Sequence, residues 1–320
     1  MAQATAPPRP LPRPGGGTSV VKPPSRRRRS QVVAGHVFLT PWLIGAVVLT
    51  LGPMLISLYL SFTDYDLFST PHWVGLANYR YMWEDDKFLT SAGVTLKFVL
   101  IGAPLKLVAA LAVALLLNRA GRGVGLYRAA FYAPSLLGAS VSVALVWRSL
   151  FATGGLTDRT TSFFGWHVGG LTDNPDYAIY PLVLLTVWQF GAPMVIFLAG
   201  LKQIPRELYE SASIDGAGKM RTFFSITLPM LSPVLFFNLV MEIIHSFQSF
   251  TSAFVISGGT GGPSNSTLFY SLYLYQQGFT NFHMGYAAAM AWLLLVVIAV
   301  VTYGVFRSAR LWVFYGQDDA

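Results

Sequence analysis

Six apolar runs divide the chain, roughly Val37 to Phe62, Val94 to Leu117, Ala129 to Phe151, Tyr180 to Leu201, Val234 to Ile256 and Tyr286 to Phe306. Each is long enough to cross about 30 Å of hydrocarbon as a helix. Between the fourth and fifth lies a polar island, Glu207 to Pro233, whose pattern predicts two short helices. Pro205 can open the first, Glu207 and Glu210 suit its positive N-terminal end, and Gly216 can supply the left-handed residue that stops it. Lys219 to Leu228 is expected to form the second, which Pro229 and Pro233 then turn into the next apolar run. Ser211, Ala212, Ser213 and Ala217 keep the first helix slim, so the backbone of another protein can approach it. No run alternates in the manner of an outer-membrane strand, and no internal repeat is present. The expected fold is an all-α membrane protein with six transmembrane helices.

Composition strengthens this reading. Of 320 residues, 53% are hydrophobic and only 11% charged, more apolar surface than a soluble domain of this size can hide. There is no cysteine, which removes disulfides, thiolate metal sites and thiol nucleophiles. Residues 1–34 are rich in Pro, Gly and Arg and end near Arg26 to Arg29. They read as a disordered basic tail that attracts anionic lipid rather than nucleic acid. The first apolar run is too long for a signal-peptide core and is expected to be retained. The domains expected are the tail 1–34, a first transmembrane helix with its external loop at 35–93, a core of five helices at 94–310 containing the loop 202–229, and a short tail at 311–320.

The net charge of +8 sets the topology once its location is considered. The tail, the turn with Arg119, Arg122 and Arg128, the stretch with Lys202, Arg206, Lys219 and Arg221, and the end with Arg307 and Arg310 are rich in cations. The intervening loops hold Asp64, Asp66, Glu84, Asp85 and Asp86, then Asp158, Asp173 and Asp176, while 258–285 has no charged residue apart from His283. The positive-inside rule then puts both termini and the Glu210 stretch in the cytoplasm.

Glu210-Ser211-Ala212, three residues, Gly216, nine residues, Ile226, one residue and Leu228-Pro229 together resemble the EAA signature of permease subunits of bacterial ABC importers. The one departure is Ser211, where the signature has Ala. Tyr127 to Pro134, Phe247-Gln248-Ser249-Phe250, Gly261-Gly262-Pro263 and Gly285-Tyr286-Ala287 narrow the likeness to carbohydrate-type permeases similar to the maltose and glycerol-3-phosphate systems. The resemblance covers about residues 36–310. It implies a MetI-like type I importer core formed by spans two to six, with span one in front. It also implies a coupling helix, comprising Glu207, Leu208, Glu210, Ser211, Ala212, Asp215, Gly216 and Ala217, that docks on a separate ATPase. In that role Glu210 hydrogen-bonds or ion-pairs with the ATPase, Asp215 and Gly216 fix the turn, and Leu208 packs on Ala212. The plainer reading of this stretch is an ordinary amphipathic connector. The partners implied are a second homologous permease, two ATP-binding subunits, an extracytoplasmic solute-binding protein, a sugar and the lipid bilayer, with no nucleic acid.

Asp215 to Met220 is not a phosphate loop. Ser213 stands where the first Gly of a Walker A motif belongs, and Met220 stands where the magnesium-binding Ser or Thr belongs. No cofactor is therefore expected in this chain, ATP and magnesium belonging to the partner ATPases, and the chain is not expected to be an enzyme. The run Gly258 to Pro263 reads as a turn.

Glu242 and His245 sit three apart in the fifth run, half of a di-metal pattern whose other half is absent. A lone carboxylate at membrane depth is costly, so Glu242 is expected to face the bundle interior, paired with Lys106 or touching a partner permease, with substrate contact and metal binding as further readings. Trp188-Gln189 and Phe247-Gln248 set an aromatic beside an amide at mid-span, a combination suited to sugar rings and hydroxyls. With Ser135, Gly191 and Glu242 they form the expected substrate path. The other reading of each residue is helix packing, with amides bonded between spans. Lys106 and Arg148 leave glycerol-3-phosphate open as substrate, and an ion-coupled secondary transporter using Glu242 is the alternative mechanism.

Overall fold

The computed structural model describes residues 27–119, 121, 123–138, 140–165 and 169–314. Most of the expected basic tail and residues 315–320 lie outside that set. Helix α1, Arg27–Gly45, begins inside the stretch expected to be tail. Among the described residues there is no strand, only an isolated bridge between Thr63 and Trp73.

Contacts divide the chain into two units, Met1–Leu55 and Ile56–Ala320. The first holds α1, the π-helical stretch Ala46–Leu51 and the start of α2, Gly52–Leu60. From His36 to Leu60 the helix is long and apolar enough to span a membrane. The wide turn has a local cause. Pro53 follows it directly and has no N–H to donate one turn back, so the register opens before it and Gly52 N bonds Val47 O instead.

The second unit continues through α3 (Ala77–Tyr81), α4 (Asp86–Arg119), α5 (Val124–Leu137), α6 (Val141–Phe151), α7 (Leu156–Phe163), α8 (Ile179–Trp188) and α9 (Gly191–Gln203). It ends with α10 (Arg206–Ile214), α11 (Lys219–Thr222), α12 (Leu228–Phe247), α13 (Thr251–Ile256), α14 (Tyr270–Tyr275) and α15 (Met284–Trp312). The expected third and fourth spans are bent pairs, Val124–Leu137 with Val141–Phe163 at 92° and Ile179–Trp188 with Gly191–Gln203 at 42°. The second, fifth and sixth are single helices.

Helix α4 is the axis of this unit, packing against α9, α12 and α8. One core cluster joins Phe98 to Leu182, Leu185, Phe269, Leu272 and Met290. A second joins Leu107, Ala110 and Ala114 to Met194, Phe197 and Leu231.

Two expectations need correction. The fifth span is not Val234–Ile256; it runs unbroken from Lys219 to Phe247, and α13 is a separate helix. Pro229 and Pro233 do not turn the chain. A π-helical stretch, Phe223–Thr227, ends just before Pro229, with Leu228 N bonded to Phe223 O, and absorbs the missing donor. Pro233 cannot donate to the carbonyl of Pro229, and the Ser232 hydroxyl donates to that oxygen instead at 2.6 Å. At the other end the helix closes at Phe247, where Gln248 N bonds Ile244 O and Ser246 O.

The second correction concerns 258–285, which is more than an external loop. Its glycine run does turn, with positive φ at Gly258, Gly259 and Gly261, but Leu268, Phe269 and Leu272 are wholly buried and α14 packs against α4.

Candidate functional site

Helix α10 stands out as a small capped object. Pro205 precedes it in extended conformation, ψ 136°, and Glu207 occupies its first turn. At its end Ala217 N bonds Ala212 O at 2.9 Å and Gly216 N bonds Ser213 O at 3.2 Å, with Gly216 at φ +71°. This is a Schellman closure, and a residue with a Cβ costs about 1–2 kcal/mol in that left-handed conformation. Glu207, Glu210, Ser211, Asp215 and Gly216 are exposed, while Ala212 and Ala217 are half-buried.

Apolar side chains are exposed beside them, Ile214 at 87% and Met220 at 71%, with Leu208 at 38%. The sequence reading did not single out Ile214 or Met220; two large apolar residues flanking a glycine turn were the available signal. Tyr209 pins α10 to the span, its hydroxyl 3.2 Å from Thr227 Oγ1 in the π-helical stretch. From Lys219 the chain then runs without a break to Phe247.

Further along that helix, Lys106 Nζ of α4 lies 2.8 Å from Glu242 Oε2, with side-chain exposures of 12% and 6%. The Ser246 hydroxyl donates to Glu242 Oε1 at 3.4 Å. The pair lines a cavity of about 190 Å³ with Gln189, Thr186, Ser249 and Phe250. Ser246, Ser249 and Ser252 also line it. Their spacing of three was readable in the sequence but passed over.

Gln189, Ser135 and Gly191 are brought together as a joint between helices. Pro193 has no N–H, which frees the carbonyl of Gln189 four residues back, and the Ser135 hydroxyl donates to it at 2.9 Å. The same hydroxyl accepts from Ala192 N at 3.1 Å, and Gln189 Nε2 donates to Gly138 O at 3.1 Å. Gly191 is buried here, since a Cβ would lie 2.6 Å from Phe131 O and 2.7 Å from Tyr132 Cα. These three residues therefore hold α5 against the bend between α8 and α9.

The remaining path residues lie apart from the cavity. Trp188 packs against Trp147, ring centroids 5.6 Å apart and planes tilted by 36°, and Trp147 Nε1 donates to Pro181 O at 2.8 Å. Phe247 is buried in the core, and Gln248, at the helix end rather than mid-span, is exposed. Of the seven residues in the expected path, Gln189 and Glu242 line the cavity.

A buried network closes the opposite end of α4. Asp85 caps that helix, its Oδ1 accepting from Lys87 N at 3.0 Å. Its Oδ2 accepts from the hydroxyls of Tyr273 at 2.5 Å and Tyr286 at 2.8 Å. Gln277 Nε2 donates on to Tyr273 at 2.6 Å. One carboxylate thereby ties α4, α14 and α15 together. In the neighbouring loop Asp173 Oδ2 accepts from the Thr153 hydroxyl at 2.6 Å, which holds the Asp173 carboxyl below its ordinary pKa.

Comparison with known proteins follows this geometry. Residues 86–310 match the family model described as binding-protein-dependent transport system inner membrane component. Over 312 residues, 95% of this chain and 99% of the relative, the sequence is 47% identical to the probable ABC transporter permease protein YesP of Bacillus subtilis (strain 168). It is 31% identical over 293 residues, 89% of this chain and 97% of the relative, to the lactose transport system permease protein LacF of Rhizobium radiobacter. The fold is similar to a chain in the crystal structure of a bacterial ABC transporter involved in the import of the acidic polysaccharide alginate, with TM-score 0.76 and 20% identity over 89% of this chain and 97% of that one. The all-α, MetI-like permease fold expected from the sequence is thus the fold observed. The chain belongs to the family of inner membrane components of binding-protein-dependent transport systems, as an ABC transporter permease.

Proposed function

We propose that this permease moves a sugar across the bacterial cytoplasmic membrane, with both termini in the cytoplasm, and that α10 is its coupling helix. One observation carries the reading: the exposed, capped α10 is pinned by Tyr209 to a helix that runs unbroken from Lys219 to Phe247 and holds Glu242 in the cavity. Two ATP-binding subunits, carrying ATP and magnesium, close on each other and displace α10. The continuous helix delivers that displacement to the Lys106–Glu242 pair. Glu210 and Glu207 offer charge to the ATPase, Ile214 and Met220 offer apolar contact, and Asp215, Gly216 and Ala217 keep the end of the helix rigid.

A second homologous permease and an extracytoplasmic solute-binding protein complete the assembly. The alginate neighbour was crystallised in complex with an alginate pentasaccharide-bound periplasmic protein, an arrangement of the same kind. A sugar is favoured by the lactose relative and by a cavity lined with Gln189, Thr186 and serines. A neutral sugar fits better than glycerol-3-phosphate. Lys106, the cation of this cavity, is already paired with Glu242, and Arg148 is not among the residues that line it. The same pairing leaves Glu242 poorly suited to coupling an ion gradient.

The test is sugar uptake by cells carrying the complete transporter with Glu210→Lys. Uptake should fall to background while the permease remains in the membrane. Undiminished uptake would remove α10 from the mechanism.

A further inference from the structure

A second cavity, of about 720 Å³, opens where α4 gives way to α5 and α9 to α10. Arg128, Lys202 and Arg206 converge on it, and the residues lining it include no carboxylate. Among the described residues the ion pairs are His72 with Asp64 and Lys106 with Glu242, so these three cations have no anionic partner there. Arg128 Nε is moreover buried without a hydrogen-bond acceptor. A buried donor of that kind leaves its desolvation cost unrecovered, and a planar guanidinium is recovered best by an oxyanion that accepts two bonds at once. The remaining lining is mixed, with Asn118, Val124 and Tyr209 at the surface of the cavity and Leu117, Leu201 and Ile204 packed into the core behind them at the ends of two spans.

We infer that this cavity binds a phosphate group, and that the group is the headgroup phosphate of an anionic phospholipid. The three cations lie at the level where two spans end, at Asn118 and Gln203, which is the depth at which the headgroups of an anionic leaflet stand. The location adds a consequence. Arg206 is the first residue of α10 and Tyr209, which also lines the cavity, is the residue that pins α10 to the span, so a bound lipid headgroup stiffens the base of the coupling helix. The binding itself does not depend on the transport reading, because it is measured without substrate.

The experiment uses the purified, delipidated transporter complex and native mass spectrometry with dioleoyl phosphatidylglycerol, dioleoyl phosphatidylcholine and inorganic phosphate as separate probes. Phosphatidylglycerol should be retained in preference to phosphatidylcholine, and Arg128→Gln should weaken that retention about tenfold, as expected for loss of one charge-assisted hydrogen bond. The double variant Lys202→Gln/Arg206→Gln should weaken it as well, and this arm stands if Arg128→Gln fails to assemble. Equal retention of phosphatidylglycerol by wild type and variants overturns the site. Displacement of the lipid by millimolar inorganic phosphate overturns the lipid and assigns the cavity to a free anion. Either result leaves sugar uptake, and therefore the coupling role of α10, to be judged on its own.

Discussion

Lys106 and Glu242, on different helices and at the wall of a polar cavity, meet at 2.8 Å with a side-chain exposure of 12% and 6%. Burying two charges costs several kcal/mol, and only their mutual attraction and added hydrogen bonds offset it. Removing one partner strands the other. Glu242→Gln or Lys106→Met should each destabilise the permease by about 3–5 kcal/mol, while the double variant should recover most of the loss. Thermal unfolding of the four variants as a double-mutant cycle measures this, and additive losses would mean that the pair does not act as a unit.

The joint between α5 and the α8–α9 bend predicts a graded response. Gly191→Leu would press atoms onto Phe131 O, already 2.6 Å from where a Cβ would sit, and should abolish accumulation of the protein in the membrane. Ser135→Ala strands Gln189 O and Ala192 N, and should cost about 1–3 kcal/mol. Ser135→Thr keeps the hydroxyl and should be milder. Immunoblots of membrane fractions and melting temperatures separate these outcomes.

Asp85 supplies a third case. Asp85→Ala leaves the buried hydroxyls of Tyr273 and Tyr286 without their acceptor and removes the cap of α4. The loss should exceed that of Tyr286→Phe, which removes a donor and leaves no orphan hydroxyl, whereas Tyr273→Phe also strands the Gln277 amide and should fall between the two. Hydrogen exchange in 268–280 reports it directly, because that segment is the one the carboxylate fastens.

The loop that holds Asp173 should respond to acid. Hydrogen bonding from Thr153 lowers the folded pKa of Asp173 below its ordinary 3.8. A depressed carboxylate stabilises the fold above the unfolded pKa, and that contribution disappears as pH falls through the folded value. Exchange protection of 153–176 should therefore be constant near neutrality and weaken in acid below about 4. Thr153→Val should shift that weakening upward in pH.

What could be read from the sequence follows a physical division. The capped α10 was legible because proline, acidic first turn and Gly216 act locally, and the Lys106–Glu242 pair because two lone charges at membrane depth have few alternatives. The start of the fifth span was not, because a π-helical stretch lets Pro229 sit inside a helix that proline ordinarily breaks, and the Ser232 hydroxyl takes up the carbonyl that Pro233 leaves free. Nor was the buried course of 268–275 foreseen. A segment of Leu, Phe and Tyr with no acid or lysine was the signal, yet its burial depends on Thr95, Asp85 and Met290, distant in sequence. Ser135 was expected on the substrate path, and its hydroxyl meets a backbone carbonyl freed by Pro193, while the Gln189 amide lines the cavity and also donates to Gly138 O. Composition gives the residue types, but only the crossing of α5 with the α8–α9 bend decides which oxygen each one meets.

The central claim, that α10 transmits force to the cavity through one continuous helix, has a direct test in this naturally cysteine-free chain. Ser249→Cys introduces a single thiol among the cavity-lining residues, and its maleimide labelling rate is measured in the complete transporter with and without ATP and magnesium. ATP should change that rate, and adding Gly216→Pro should abolish the change while the ATPase subunits stay bound. An unaltered ATP-dependent change in the Gly216→Pro background would contradict the account.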